Sequence, residues 1–262
     1  MNAIISDSKR KCTFPKKEDI LGFGISIANV NDIVKIIDES VQYNEVGKLI
    51  FCANPHSMVV AQKDEVFSNA LKTADILLPD GAGVVLALRI LKGLKQPRVG
   101  GPDVFFEFSK YANSTGGHRY FFLGSTEEVL TRIERNLAKE FPNISLAGTY
   151  SPPFGPISDG ENDLIIKMIN ESMPTVLWVG MTAPKQEKWT YQHKDRLEVP
   201  VIGAVGAVFD FLAGTKQWAP KWIRDRGLDW AYRLIKEPKR LWKRNFTSTP
   251  MFFYLILKQY LD

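Results

Sequence analysis

The groups in this 262-residue chain that can do chemistry sit directly behind short apolar runs. Pro79-Asp80-Gly81 follows the run 76–78, and Ala53-Asn54-Pro55-His56-Ser57 follows 49–52. Gly124-Ser125-Thr126 follows 121–123, and the segment from Gly180 to Gln186 follows 176–179. Val205-Gly206, leading to Asp210, follows 201–204. A carboxylate beside a flexible glycine, as Asp80 is, can take a proton from a hydroxyl within hydrogen-bond reach. The same Asp-Gly pair also serves as a helix N-cap with a turn glycine. Gly124-Ser125-Thr126 suits either a helix cap or a phosphate held at a helix N-terminus. Arg98 reads as a bidentate phosphate partner or as a solvated surface arginine. His56 reads as a satisfied structural histidine or a ligand-binding group. Lys185 and Gln186, just after Pro184, make a plain helix start or a substrate contact.

The elements that must position these residues follow from the apolar pattern. Strands are expected at 21–27, 48–53, 75–78, 120–123, 145–149, 176–179 and 201–204. Helices are expected at 31–42, 57–71, 83–91, 103–112, 127–140, 162–172 and 185–194. Strand–helix alternation predicts an α/β, Rossmann-like, largely parallel sheet flanked by helices. Val176-Leu177-Trp178-Val179 is apolar on both faces, as a strand covered on both sides should be. In such a sheet ligands bind outside the carboxyl ends of the strands, where the polar groups named above lie. The segment 152–160, rich in proline and glycine, reads as a linker or a long active-site loop.

Composition narrows the function. Apolar residues make up 45% and charged residues 24%, which suits a folded globular chain rather than a disordered one. Two cysteines, Cys12 and Cys52, exclude a disulfide framework. With three dispersed histidines, no CxxC and no HExxH, no metal site is expected. No Asp-x-Asp occurs, so the carboxylate pair that often holds a metal–nucleotide diphosphate is missing. Leaving-group charge must then be met by cations and helix ends. There is no Gly-x-Gly-x-x-Gly after a strand and no P-loop. That disfavours a Rossmann-like oxidoreductase or methyltransferase and a P-loop ATPase.

The net charge of +5 is segregated: residues 220–262 hold ten Lys/Arg against four acids, and the remainder is close to neutral. A localised basic patch implies a localised anionic partner. A nucleic-acid module is one such reading, but no nucleic-acid motif accompanies the patch. The sequence therefore divides into a loose arm (1–19), an α/β core (20–226) and a basic, amphipathic helical appendage (227–262). Pro238 is expected to kink or divide that appendage, and a second apolar piece follows Pro250. No run is long enough for a spanning helix, and no signal peptide is visible.

Seven segments share their order with one family: 53–57 (Ala-Asn-Pro-His-Ser), 74–85 (through Leu-Pro-Asp-Gly-Ala-Gly), 98–103 (Arg-Val-Gly-Gly-Pro-Asp), 122–125 (Phe-Leu-Gly-Ser), 180–189 (Gly-Met-Thr-Ala-Pro-Lys-Gln-Glu-Lys-Trp), 206–210 (Gly-Ala-Val-Phe-Asp) and 237–242 (Glu-Pro-Lys-Arg-Leu-Trp). Over residues 20–245 the chain resembles the WecG/TagA/CpsF family of bacterial glycosyltransferases. The resemblance implies an inverting, metal-independent transferase that needs no cofactor. Its donor would be a UDP-sugar, with N-acetylmannosamine or a related sugar transferred. Its acceptor would be polyprenyl-diphosphate-linked, in cell-surface polysaccharide or teichoic-acid synthesis. Asp80 then falls at the position of the catalytic base and Asn54 beside it. Arg98 and Gln186 match sugar- or diphosphate-side positions, and Asp210 lies near the uridine. Cys52, Gly81, Gly124, Ser125 and Lys185 fall among the UDP- and substrate-binding positions. Arg233, Arg240 and Lys243 match basic positions of an appendage that meets the acceptor and an anionic membrane surface. The resemblance further implies a cytoplasmic protein, peripheral on the inner face of the cell membrane, that self-associates and takes no nucleic acid. One departure is visible: many relatives carry threonine where this chain has Cys52, and a thiol is the poorer hydrogen-bond partner.

Overall fold

A computed structural model describes residues 12–220, 223 and 229–261. Among the described residues there are eight strands: β1 (Lys17–Ile20), β2 (Phe23–Ser26), β3 (Lys48–Ala53), β4 (Ile76–Pro79), β5 (Arg119–Gly124), β6 (Ser145–Tyr150), β7 (Val176–Gly180) and β8 (Val201–Ala204). Between and after them run α1 (Val30–Gln42), α2 (Pro55–Ala61), α3 (Glu65–Thr73), α4 (Ala82–Lys92), α5 (Gly101–Thr115), α6 (Glu127–Glu140), α7 (Asp159–Ser172), α8 (Lys185–His193), α9 (Ala207–Leu212), α10 (Asp229–Lys236) and α11 (Pro238–Leu261). Six strands form one parallel sheet in the order β4-β3-β8-β7-β5-β6. The α/β, parallel-sheet architecture expected from the apolar pattern is the one observed.

Alternation along the strands builds the two faces. Leu49, Phe51 and Ala53 of β3 join one apolar cluster with Leu77, Leu123, Val179 and Ile202. Ile50 joins the opposite cluster with Ile76, Leu78, Phe122, Trp178 and Val201. Helices cover both faces, so the central strands are apolar through their interiors, with charged residues only at their first positions, Lys48 and Arg119. Gly203 makes room for the buried Trp178, since a methyl there would lie 2.4 Å from the indole ring.

Four elements differ from the sequence reading. Residues 17–19, read as part of the loose arm, belong to β1, which pairs antiparallel with β2 outside the main sheet. The segment 57–71 is two helices rather than one, because Asp64 accepts a hydrogen bond from the backbone N–H of Phe67 at 3.1 Å and starts α3. Helix α9 is too short to show a clear period and has no counterpart in the apolar pattern. Pro250 lies inside α11 instead of breaking it. Ser248 and Phe252, both buried on either side of Pro250, hold the two halves on the core, so packing outweighs the lost backbone hydrogen bond. Pro238 does divide the appendage, as the first residue of α11 after α10 ends.

Candidate functional site

Because the strands are parallel and in register, their carboxyl ends form one edge. Ala53 pairs with Pro79, Ile50 with Gly203, Val179 with Ala204 and Gly124 with Gly180. The residues next in sequence therefore line up along that edge: Asp80 behind β4, Asn54 behind β3, Val205 and Gly206 behind β8, and the approach to Gln186 behind β7.

Asp80 is fixed by its backbone, whose N–H donates to the Ala53 carbonyl at 2.9 Å. Its side chain is 28% exposed and so reachable from solvent. Nη1 of Arg98 lies 3.1 Å from Asp80 Oδ1, and Nη2 lies 2.9 Å from Asp103 Oδ2. Asp103 also accepts from the backbone N–H of Gly100 at 2.9 Å, closing the start of α5. A methyl group on Gly100 would come within 2.7 Å of Arg98 Nη1 and 2.8 Å of Asp80 Oδ1. Glycine at that position lets the two charged groups lie over the backbone. Gly81, at φ +104, gives the turn from β4 into α4.

Asn54 caps α2: its Oδ1 accepts from the Ser57 N–H at 3.0 Å, and the Ser57 hydroxyl accepts from the Asn54 N–H at 2.8 Å. The Cys52 thiol packs where α5 begins, and a methyl on Gly101 would meet its sulfur at 3.3 Å. Burial pushes the thiol well up, and the negative charges of Asp80 and Glu187 add to it. Cys52 therefore stays a thiol at neutral pH and is no nucleophile.

Farther along the edge, Gln186 and Glu187 are both buried near the start of α8. Gln186 Nε2 donates to Glu187 Oε1 at 2.9 Å, and burial pushes the Glu187 carboxyl up to about 7. A methyl on Gly206 would approach Gln186 Oε1 to 2.9 Å, which places that oxygen on the strand-end edge.

The other expected site residues divide. Gly124, at φ +121, lets β5 and β7 approach closely, since a methyl there would meet the Gly180 carbonyl oxygen at 2.5 Å. Ser125, at φ +62, donates its N–H to that same carbonyl at 3.1 Å. Lys185 turns toward the 151–158 loop and donates to the Gly155 carbonyl at 2.7 Å. Asp210 pairs with Lys216 at 2.7 Å. Arg233, Arg240 and Lys243 lie on α10 and α11, but their side chains are outside the described residues. His56 has a structural bond to the last helix, with Nδ1 2.8 Å from the Ser248 hydroxyl. Asp103 and Glu187 do not stand out in the sequence as site residues. Asp103 is three residues past Gly100 at a helix start, a visible capping signal. Glu187 is hidden among charged neighbours and is recognised only by its burial. Among the described residues, no group of three or more His, Cys, Asp or Glu is placed to hold a metal ion.

The chain is also similar to known proteins. Residues 18–262 match the profile described as the Glycosyl transferase WecG/TagA/CpsF family. An N-acetylglucosaminyldiphosphoundecaprenol N-acetyl-beta-D-mannosaminyltransferase of Bacillus subtilis (strain 168) is 31% identical over 232 residues, covering 88% of each chain. The protein of that name from Staphylococcus aureus (strain MW2) is 30% identical over 243 residues, covering 92% of each.

Proposed function

The chain belongs to the WecG/TagA/CpsF family of glycosyl transferases, and on that premise we propose that it transfers N-acetylmannosamine from a UDP-linked donor to a polyprenyl-diphosphate-linked N-acetylglucosamine. The acceptor is the one named for the relatives at 30–31% identity. The observation that carries the reading is the reachable Asp80 carboxylate, held by Arg98 at the carboxyl edge of the sheet.

The chemistry is a single displacement with inversion. Asp80 takes the proton of the acceptor hydroxyl as its oxygen attacks the anomeric carbon, and the bond to the UDP oxygen breaks. UDP is a good leaving group, so one base suffices. Arg98 stands beside the base, and its guanidinium can meet the charge that grows on the diphosphate. Asn54 borders the same edge. Because cations of the chain fill this role, the reaction proceeds without a divalent ion.

The lipid acceptor places the reaction at a bilayer. Among the described residues no helix is long and apolar enough to cross a membrane. In this reading the enzyme works on the membrane surface, on the cytoplasmic face where UDP-sugars are available. The basic appendage supplies the attraction to anionic lipid, on the order of 1 kcal/mol per basic residue near the surface. Tyr254, Leu257 and Leu261, at helical spacing along α11, are exposed and supply apolar contact. Self-association of the chain is part of the same proposal.

The test is direct. Purified protein is incubated with UDP-N-acetylmannosamine and a synthetic N-acetylglucosaminyl-diphosphate lipid in excess EDTA, and products are read by mass spectrometry and anomeric NMR. A β-linked disaccharide lipid is expected. Absence of product with this donor but transfer from another UDP-sugar would correct the donor, and activity only after added Mg²⁺ would overturn the metal-free mechanism.

A further inference from the structure

Helix α8 (Lys185–His193) presents three buried oxygens without a hydrogen-bond partner among the described residues: Gln186 Oε1, Glu187 Oε2 and Thr190 Oγ1. Gln186 and Glu187 are 5% and 2% exposed. Buried polar groups are nearly always paired, so an unpaired set on one helix calls for an explanation. The geometry is specific at Gln186. Its Nε2 is committed to Glu187 Oε1 at 2.9 Å. In its ionised form, which dominates above about pH 7, the Glu187 carboxylate only accepts hydrogen bonds, so the reverse orientation of the amide would there set two acceptors against each other. The carboxylate thus turns the Gln186 carbonyl oxygen away from itself. That oxygen lies where a methyl on Gly206 would touch it at 2.9 Å, on the strand-end edge. Cys52, between the two ends of this edge, feels the charges of both Asp80 and Glu187.

A lone buried acceptor pairs with an O–H or N–H and repels a phosphate oxygen. A sugar carries such donors, and a diphosphate does not. We infer that Glu187 is a positioning residue, fixing the Gln186 amide so that its carbonyl oxygen accepts a hydrogen bond from a hydroxyl or acetamido N–H of the transferred sugar. This rests on the transferase reading and deepens it, since it makes Gln186 a reader of the sugar rather than of the diphosphate; the ribose and uracil also carry donors, and titration with UDP alone separates them from the sugar.

The experiment is calorimetric titration of the full-length protein with UDP and with UDP-N-acetylmannosamine. In Glu187→Gln the amide at Gln186 is free to flip. Affinity for the sugar nucleotide should fall roughly tenfold, while that for UDP stays within about twofold. In a Gln186→Ala background the further change Glu187→Gln should have no effect, because the residue it positions is gone. Gly206→Ala leaves Glu187 intact and pushes on the Gln186 oxygen, so it should reproduce the selective loss even if Glu187→Gln does not fold. Equal weakening of UDP and UDP-sugar, unchanged sugar affinity, or additive effects in the double variant would overturn the inference alone. Wild-type protein that binds neither ligand would overturn the transferase reading beneath it.

Discussion

Asp80 and Arg98 act as a unit, and removing either half has a distinct consequence. Arg98→Ala leaves the Asp80 and Asp103 carboxylates without their shared cation. It should lower stability by roughly 1–2 kcal/mol, since the pair is only partly buried, and it should cost turnover more than UDP affinity, as read by chemical denaturation and kcat. Cys52 should alkylate slowly with iodoacetamide at pH 7, faster only well above pH 9, because burial disfavours its thiolate. Rapid labelling at neutral pH would contradict the described environment. Glu187 has a pH signature in stability. Its carboxyl titrates at about 7 in the folded chain against an ordinary 4.5. Between those values the folded state holds a proton that the unfolded chain has lost. Stability from this group is complete below pH 4.5 and is lost as pH rises to about 7, on the order of 3 kcal/mol in all. Glu187→Gln removes that slope, so Tm of the variant relative to wild type should climb between pH 5 and pH 8. A constant difference would mean that the carboxyl is not desolvated.

At the scale of elements, the last helix is where the sequence misleads most. Its composition reads as a basic appendage, and the stretch beyond Pro250 reads as a separate apolar piece. Yet Phe252 is fully buried and Ile256 nearly so, both within the cluster under β3 and β4. Ser248 meets His56, and the Gln259 amide oxygen accepts from the Leu21 N–H at 2.8 Å. Those partners lie far away in sequence, so no local pattern announces them. The strand ends are the opposite case: Asp80, Asn54 and Gly206 are legible because an apolar run followed by a turn residue is a local signal. Glu187 and Asp103 need the three-dimensional arrangement. The docked helix separates two effects. Phe252→Ala should cost roughly 3–5 kcal/mol of stability by leaving a cavity. Replacing exposed Tyr254, Leu257 and Leu261 together by serine should leave Tm nearly unchanged while weakening flotation with anionic vesicles. Equal vesicle binding by that triple variant would remove α11 from the membrane contact.

For the molecule as a whole, the surplus charge and the candidate site lie in different parts of the chain. A nearly neutral α/β core carries the strand-end site, and the basic tail carries the surplus charge. The core fold is legible because its central strands are short apolar runs, as strands covered by helices on both faces must be, and they alternate with helical stretches. Binding to anionic vesicles should weaken steeply from 0.05 to 0.5 M salt, and neutral vesicles should bind little, because screening shortens the reach of those charges to a few ångströms. The proposed chemistry is independent of the tail: a single carboxylate at the tip of β4 is proposed to draw the proton from the acceptor. The most direct measurement is turnover of Asp80→Asn with UDP-N-acetylmannosamine and the lipid acceptor in EDTA, beside UDP affinity of the same preparation. Turnover lower by roughly 10²-fold or more with unchanged UDP affinity is the expected result, and near-normal turnover would contradict the assignment of Asp80 as the base.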